Sequence, residues 1–305
     1  MLKIYRNSLS LSLQFILISC ILISCNEVSN SYSDNQVFRY NEHANINTLD
    51  PAFSRTLQDT WVSNQLFNGL VQLDSDLNIL PCIAESWSIS EDGLTYSFTL
   101  RNDVYFHEHE LFGKDSTRTV IAKDFEYSFN RLKDDKVAAP GSWVLNKVDY
   151  FEAVNDSLFE ITLKQPFPAF IGLLTMKYCS VVPKEIVEYY GSDFRSKPIG
   201  TGPFKFKRWE ENIKLVFRKN PNYFEKDSTG RSLPYLESIA ITFLPDKQSE
   251  FLQFAQGNID FLNSLDASYK DELLTADGKL RSDYANSVNM TRGPYLNTEY
   301  LGFYL

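Results

Sequence analysis

The sequence predicts an α+β or mixed α/β fold with a largely mixed sheet. Three observations carry that expectation. First, several runs alternate apolar and polar residues, as in Leu94, Tyr96, Phe98 and Leu100 set against Thr95, Ser97, Thr99 and Arg101. Second, "AKDFEYSFNRLK" places Phe125, Phe129 and Leu132 at the i, i+4, i+7 spacing of an amphipathic helix. Third, the two kinds of run are interspersed without a steady β-α-β rhythm, which argues against a doubly wound parallel sheet. With 305 residues, 43% of them hydrophobic, the chain is long enough for two domains.

Taken in order, the chain starts with Lys3 and Arg6 and no acid, then runs apolar from Leu9 to Ser24 with only Ser and Gln14 interrupting. A basic stretch followed by a short apolar one describes a secretory signal, and the run falls short of the roughly 20 apolar residues a spanning helix needs. Leu17-Ile18-Ser19-Cys20 and Leu22-Ile23-Ser24-Cys25 both resemble the end of a bacterial lipoprotein signal. Cleavage before Cys20 would leave Ile21-Leu22-Ile23 on the mature end, whereas cleavage before Cys25 starts a polar tether. We therefore expect a signal over residues 1–24, a lipid on Cys25, and a tether over 25–35. A lipidated end anchors without spanning.

Beyond the tether, "QVFRYNEHANINTLDPAF" reads as a strand and an Asp50-Pro51 turn. In "RTLQDTWVSNQLFNGL" the helical face is expected at Leu57, Trp61, Gln65 and Leu66, with a stop at Gly69. Two hairpins follow, turning at Ser75-Asp76 and at Asp92-Gly93. After the Phe125 helix comes an alternating strand with Phe159, Ile161 and Leu163, then a helix between Pro183 and Gly191. Ile213, Leu215 and Phe217 are expected to share one face of a later strand, and "IAITFLP" and "EFLQFAQGNIDFL" complete the pass. There is no internal repeat, low-complexity tract or heptad pattern.

Charge narrows the function. Loss of the signal removes two of the 30 basic residues and none of the 39 acidic ones, for a net of −11, which disfavours nucleic acid. Cys82 and Cys179 then remain, two isolated cysteines that form no disulfide framework and are either paired or buried thiols.

Four segments in register resemble family 5 of the extracytoplasmic solute-binding proteins, the oligopeptide, dipeptide and nickel binding components of ABC importers. They are "TLDPAF…QLFNGLVQLDSDLNILPCIAESWSISEDGLTYSFTLRNDVYFH", "AKDFEYSFNRL", "GTGPFKFKRWEENIKLVFRKNPNYF" and "GNIDFL", covering residue 36 to the end. The resemblance implies a type II (cluster C) periplasmic-binding-protein-like fold whose two lobes close on a ligand, with this chain spanning the first lobe and the second lobe missing. It places a base domain at 36–70 and 184–305 and a smaller subdomain at 71–183. It implies ligand contacts at Ala52, Phe53, Ser54 and Arg55 after the Leu-Asp-Pro turn, and at Ser142 and Trp143 in "AAPGSWV". The implied partners are a short peptide or similar solute and a membrane permease, with no cofactor. A non-binding surface lipoprotein and a nickel-binding member are the alternatives.

Local readings of these segments are mostly about scaffold. Gly200 and Gly202 in "GTGPF" are expected to serve a turn at positive φ, since no phosphate-loop context surrounds them. The family's Thr cap ahead of the Phe125 helix is replaced by Ile121, so that cap is lost or moved. His107 and His109 alternate near Glu108 and Glu110, a two-His start for a metal site, but no third ligand follows at the right spacing; a solvated hairpin tip is the preferred reading. With only three histidines and no G-x-S-x-G elbow, a hydrolase is poorly supported.

Overall fold

Two four-stranded sheets organise the chain in the computed structural model, which describes residues 36–263, 265–293 and 301–303. The signal, Cys25 and the tether lie outside the described residues. In chain order the strands are β1 (Val37–Asn41), β2 (Val71–Leu73), β3 (Ile79–Pro81), β4 (Ala84–Ile89), β5 (Thr95–Leu100), β6 (Val148–Ala153), β7 (Leu158–Leu163), β8 (Phe204–Glu210), β9 (Lys214–Lys219) and β10 (Ser238–Thr242). The longer helices are α1 (Leu57–Leu66), α2 (Ala122–Lys133), α3 (Lys184–Tyr190) and α4 (Lys247–Ala255).

The first sheet runs β1-β10-β9-β8. β1 lies parallel to β10, with Tyr40 opposite Ile241, and the other pairs are antiparallel, so the sheet is mixed as expected. Its inward residues Leu215, Phe217, Ile239 and Ile241 are buried with Val62 and Leu66 of α1 and Ile186 and Val187 of α3. The second sheet runs β4-β5-β7-β6 and is wholly antiparallel. Tyr96, Phe98 and Leu100 from β5 and Phe159, Ile161 and Leu163 from β7 face Phe125, Phe129 and Leu132 of α2. Phe129 meets Phe159 edge-on at 5.5 Å between centroids, and each such buried ring contributes about 1.5–3 kcal/mol. Here the alternation in the sequence and the buried face coincide.

Elsewhere the structure corrects the sequence reading. Leu57 is exposed and Trp61 and Gln65 are only half-buried, while α1 buries Asp59, Val62 and Ser63 alongside the expected Leu66. The reason is polar: Asp59 and Ser63 are turned inward to hold the preceding loop, and the apolar letters alone point to the wrong face. Ile213 is also exposed, because it sits in the β8–β9 turn before the sheet begins to bury its side chains. Ahead of α2 half of the capping box survives: Asp124 accepts the Ile121 N–H at 3.0 Å. Arg118 grips Asp124 with two hydrogen bonds and Glu185 of α3 with two more, tying the helix starts together.

Gly200 and Gly202 are not at positive φ. They are small because the α1 terminus passes over them: a Cβ at Gly200 would lie 2.0 Å from the Leu66 carbonyl oxygen, and one at Gly202 2.5 Å from that of Gln65. Cys82 and Cys179 are both buried free thiols. Among the described residues no helix is long and apolar enough to cross a membrane.

Candidate functional site

The loop between Asp50 and Thr56 is held from both ends by buried carboxylates. Asp50 caps the short turn Pro51–Phe53, accepting the Ala52 N–H at 3.1 Å. Arg131 of α2 donates to both oxygens of the same carboxylate, one at 2.9 Å. Burial pulls the Arg131 guanidinium down, but the Asp50 hydrogen bonds outweigh it and leave the group above its ordinary value. Asp59, fully buried, accepts the N–H of Asn47 at 3.0 Å and those of Arg55 and Thr56 at 3.2 Å. Ser54 and Ser63 share a hydrogen bond of 3.0 Å between their hydroxyls. The N–H groups here are thus spoken for. Among the described residues nothing donates to the carbonyls of Phe53, Ser54 and Arg55, which leaves a short row of acceptors.

A cavity lies on each side of this loop. The larger, about 1010 Å³, is lined by Phe53, Arg55, Tyr127 and Arg195 among others, with acidic and basic groups in equal number. The smaller, about 520 Å³, is lined by Ser54, Asn64, Asn68, Lys177, Tyr178 and Tyr223, among others. Volume favours the first. The second is the better candidate because one loop singled out in the sequence lines it and the other packs against its Tyr178. Ser54 lines it directly, and Gly141, which precedes Ser142 and Trp143, lies so close over the Tyr178 ring that a Cβ there would fall 2.1 Å from it. Trp143 stands 47% exposed in the turn Ser142–Leu145, free to extend an apolar wall.

The expected contact residues are therefore not equivalent. Ala52 and Ser54 are buried. Phe53 and Arg55 line the larger cavity, whereas Ser142 and Trp143 are exposed and line neither of the two. Lys177 and Tyr178 were missed. The available signal was Lys177 itself, the one charged residue in "FIGLLTMKYCSVVP".

The solvated-tip reading of the histidine pair is overturned. His107 is 3% exposed and clamps the glycine turn: Gly200 N–H donates to Nδ1 at 3.3 Å, and Nε2 donates to the Gly202 carbonyl at 3.0 Å. Burial pushes its pKa down to about 4. His109 is engaged too, through Tyr190 at 2.9 Å and the Leu111 N–H at 3.2 Å. With all four ring nitrogens committed, the pair offers no metal site. No cluster of His, Cys, Asp or Glu among the described residues could hold one.

The profile of the "Bacterial extracellular solute-binding proteins, family 5 Middle" matches residues 78–305. The chain belongs to that family. Glutathione-binding protein GsiB of Salmonella typhimurium is 28% identical over 261 residues, covering 83% of this chain and 48% of its own length. A probable deoxycholate-binding periplasmic protein of Escherichia coli, YgiS, is 28% identical over 287 residues, covering 85% and 51%. Among solved structures, DppA of Helicobacter pylori in complex with the peptide STSA superposes with a TM-score of 0.70 at 27% identity, covering 78% of this chain and 48% of its own. NikZ of Campylobacter jejuni in complex with Ni(L-His) gives 0.63 at 28%, covering 74% and 42%. The chain spans about half the length of the curated relatives it matches. Its fold is that of the type II periplasmic binding proteins.

Proposed function

We propose that this chain is the substrate-binding component of an ABC importer, anchored by a lipid on Cys25, which captures a short peptide or similar small solute outside the cytoplasm. The observation that carries the reading is the row of unpaired carbonyls at Phe53, Ser54 and Arg55 in the loop between the two cavities. An extended peptide can meet such a row with its own N–H groups, as an added strand does, gaining affinity with little demand on side chains. The likeness to a peptide-bound DppA supports that ligand class, and the leader with its second Leu-Ile-Ser-Cys supports the anchor. The two apolar clusters, one under each sheet, support a base domain of 36–70 and 184–305 with a subdomain of 71–183.

No chemistry on the solute is required. Capture comes from closure of two lobes about a hinge, and the energy for transport comes from the importer's ATPase. Calorimetry of the mature full-length protein with defined tripeptides and tetrapeptides tests the reading. Binding should raise the unfolding free energy by about 2.7 kcal/mol at a hundredfold excess over Kd. A folded protein that binds none of them refutes the peptide reading, and Ni(L-His) as a competing probe separates the nickel alternative.

A further inference from the structure

We infer that the groove between Ser54 and Tyr178 receives a carboxylate of the bound solute on Lys177. The inference rests on the solute-binding reading above and adds to it the chemical class of the ligand.

Lys177 lies in a short turn, Lys177–Cys179, between the apolar stretches of its own segment. It is half-buried and lines the groove together with Ser54, Asn64, Asn68, Tyr178 and Tyr223, and no acidic residue shares that lining. Among the described residues the ammonium makes no ion pair and no hydrogen bond. The nearby acid, Glu225, is committed elsewhere: it accepts Gln72 Nε2 at 2.6 Å and the Tyr223 hydroxyl at 2.9 Å. Burial holds the neighbouring Cys82 thiol up at about 12, so it supplies no negative charge near neutrality. Burial also pulls Lys177 below its ordinary value, and near neutrality only the charge of Glu225 offsets that, in part.

A cation that has lost hydration without gaining a partner is costly to keep, and an arriving anion relieves that cost. The rest of the lining is suited to receive one. Asn64 has no hydrogen-bond partner for its side chain among the described residues, and Asn68, which accepts from Thr201 and also meets the Cys82 thiol, donates a long bond of 3.4 Å to Tyr223. The chain as a whole is acidic, with a formal net charge of −9, so its overall field repels anions and the attraction has to be local.

A peptide brings a carboxylate from its C-terminus or from an acidic side chain, and the test separates the two. Calorimetry on the full-length mature protein would compare Ala-Ala-Ala with its C-terminal amide, and Ala-Glu-Ala-amide with Ala-Gln-Ala-amide. The protein should prefer the acid of at least one pair, and the pair it discriminates identifies the source. Lys177→Met should abolish that preference by weakening the acid about 10- to 100-fold while leaving the neutral partner unchanged. Lys177→Arg should retain it. Thermal unfolding of Lys177→Met at or above the parent temperature shows that the variant is folded. If the parent binds these peptides but discriminates neither pair, or Lys177→Met keeps the preference, the carboxylate subsite is wrong and peptide capture stands. If the folded parent binds no peptide, both readings fall.

Discussion

Raising the pH should loosen the corner where β1 meets α4, and Glu42 is the group that makes it do so. Glu42 is 5% exposed at the end of β1, and Glu250 of α4 is 2% exposed beside it. Asn41 donates to Glu250 at 3.3 Å, and His43 Nε2 lies 3.1 Å from the other Glu250 oxygen without hydrogen-bond alignment. Burial, then the charge of Glu250, pushes the Glu42 carboxyl up to about 7 from 4.5. A raised acid adds nothing against folding while both states are protonated. Its cost appears as pH rises above the unfolded value and is complete above the folded one. Between about pH 5 and pH 8 that shift amounts to about 2.5 kcal/mol of lost stability, and to about 1–2 kcal/mol once solvent screening near the surface is counted. Urea unfolding of the parent and of Glu42→Gln at the two pH values isolates the effect, because every other titrating group is common to both. The parent should lose about 1–2 kcal/mol more than the variant over this interval. Parallel losses in the two proteins would refute the assignment.

Three further outcomes follow from the same geometry. His107→Phe would leave the Gly200 N–H and the Gly202 carbonyl without their ring partner; it should cost about 2–4 kcal/mol by urea unfolding. The parent should also lose stability as pH falls from about 6.5 toward 4, because the folded state holds His107 neutral while the unfolded chain takes up a proton, and this acid-side loss should vanish in the variant. Gly202→Ala should cost about 1–3 kcal/mol or more, since its methyl would meet the backbone of Gln65 and Leu66 rather than a movable side chain; a neutral result would mean the α1 terminus gives way. Cys25→Ser should release the mature protein from membranes, read by fractionation, while Cys20→Ser should leave it there; the reverse pattern would move the anchor to Cys20.

What the sequence revealed follows the range of the forces involved. The faces of β5, β7 and α2 were legible because burial acts on neighbouring positions with a fixed period, so Phe98, Phe125 and Phe159 announce themselves. The face of α1 was hidden because Asp59 and Ser63 are buried for hydrogen bonds, which leave no apolar signature. His107 was misplaced because its Gly200 and Gly202 partners are 93 and 95 residues away. The loop at 52–55 came from likeness to a family, but the lysine facing it did not. An unpaired cation is defined by what does not approach it in space, and no spacing rule encodes that.

The parallel pairing of β1 with β10 sets an order of assembly. Thr242 and Tyr40, bonded across that pair, are 202 residues apart, whereas Ser97 and Glu160, bonded across the second sheet, are 63 apart. A chain that emerges N-terminus first can close the second sheet and its helix lid while β1 still waits. The strand nearest the proposed anchor is then the last to find its neighbour. Until β10 arrives, β1 stays without its sheet partner, and that open strand is where a protease or a holding chaperone would gain access during synthesis.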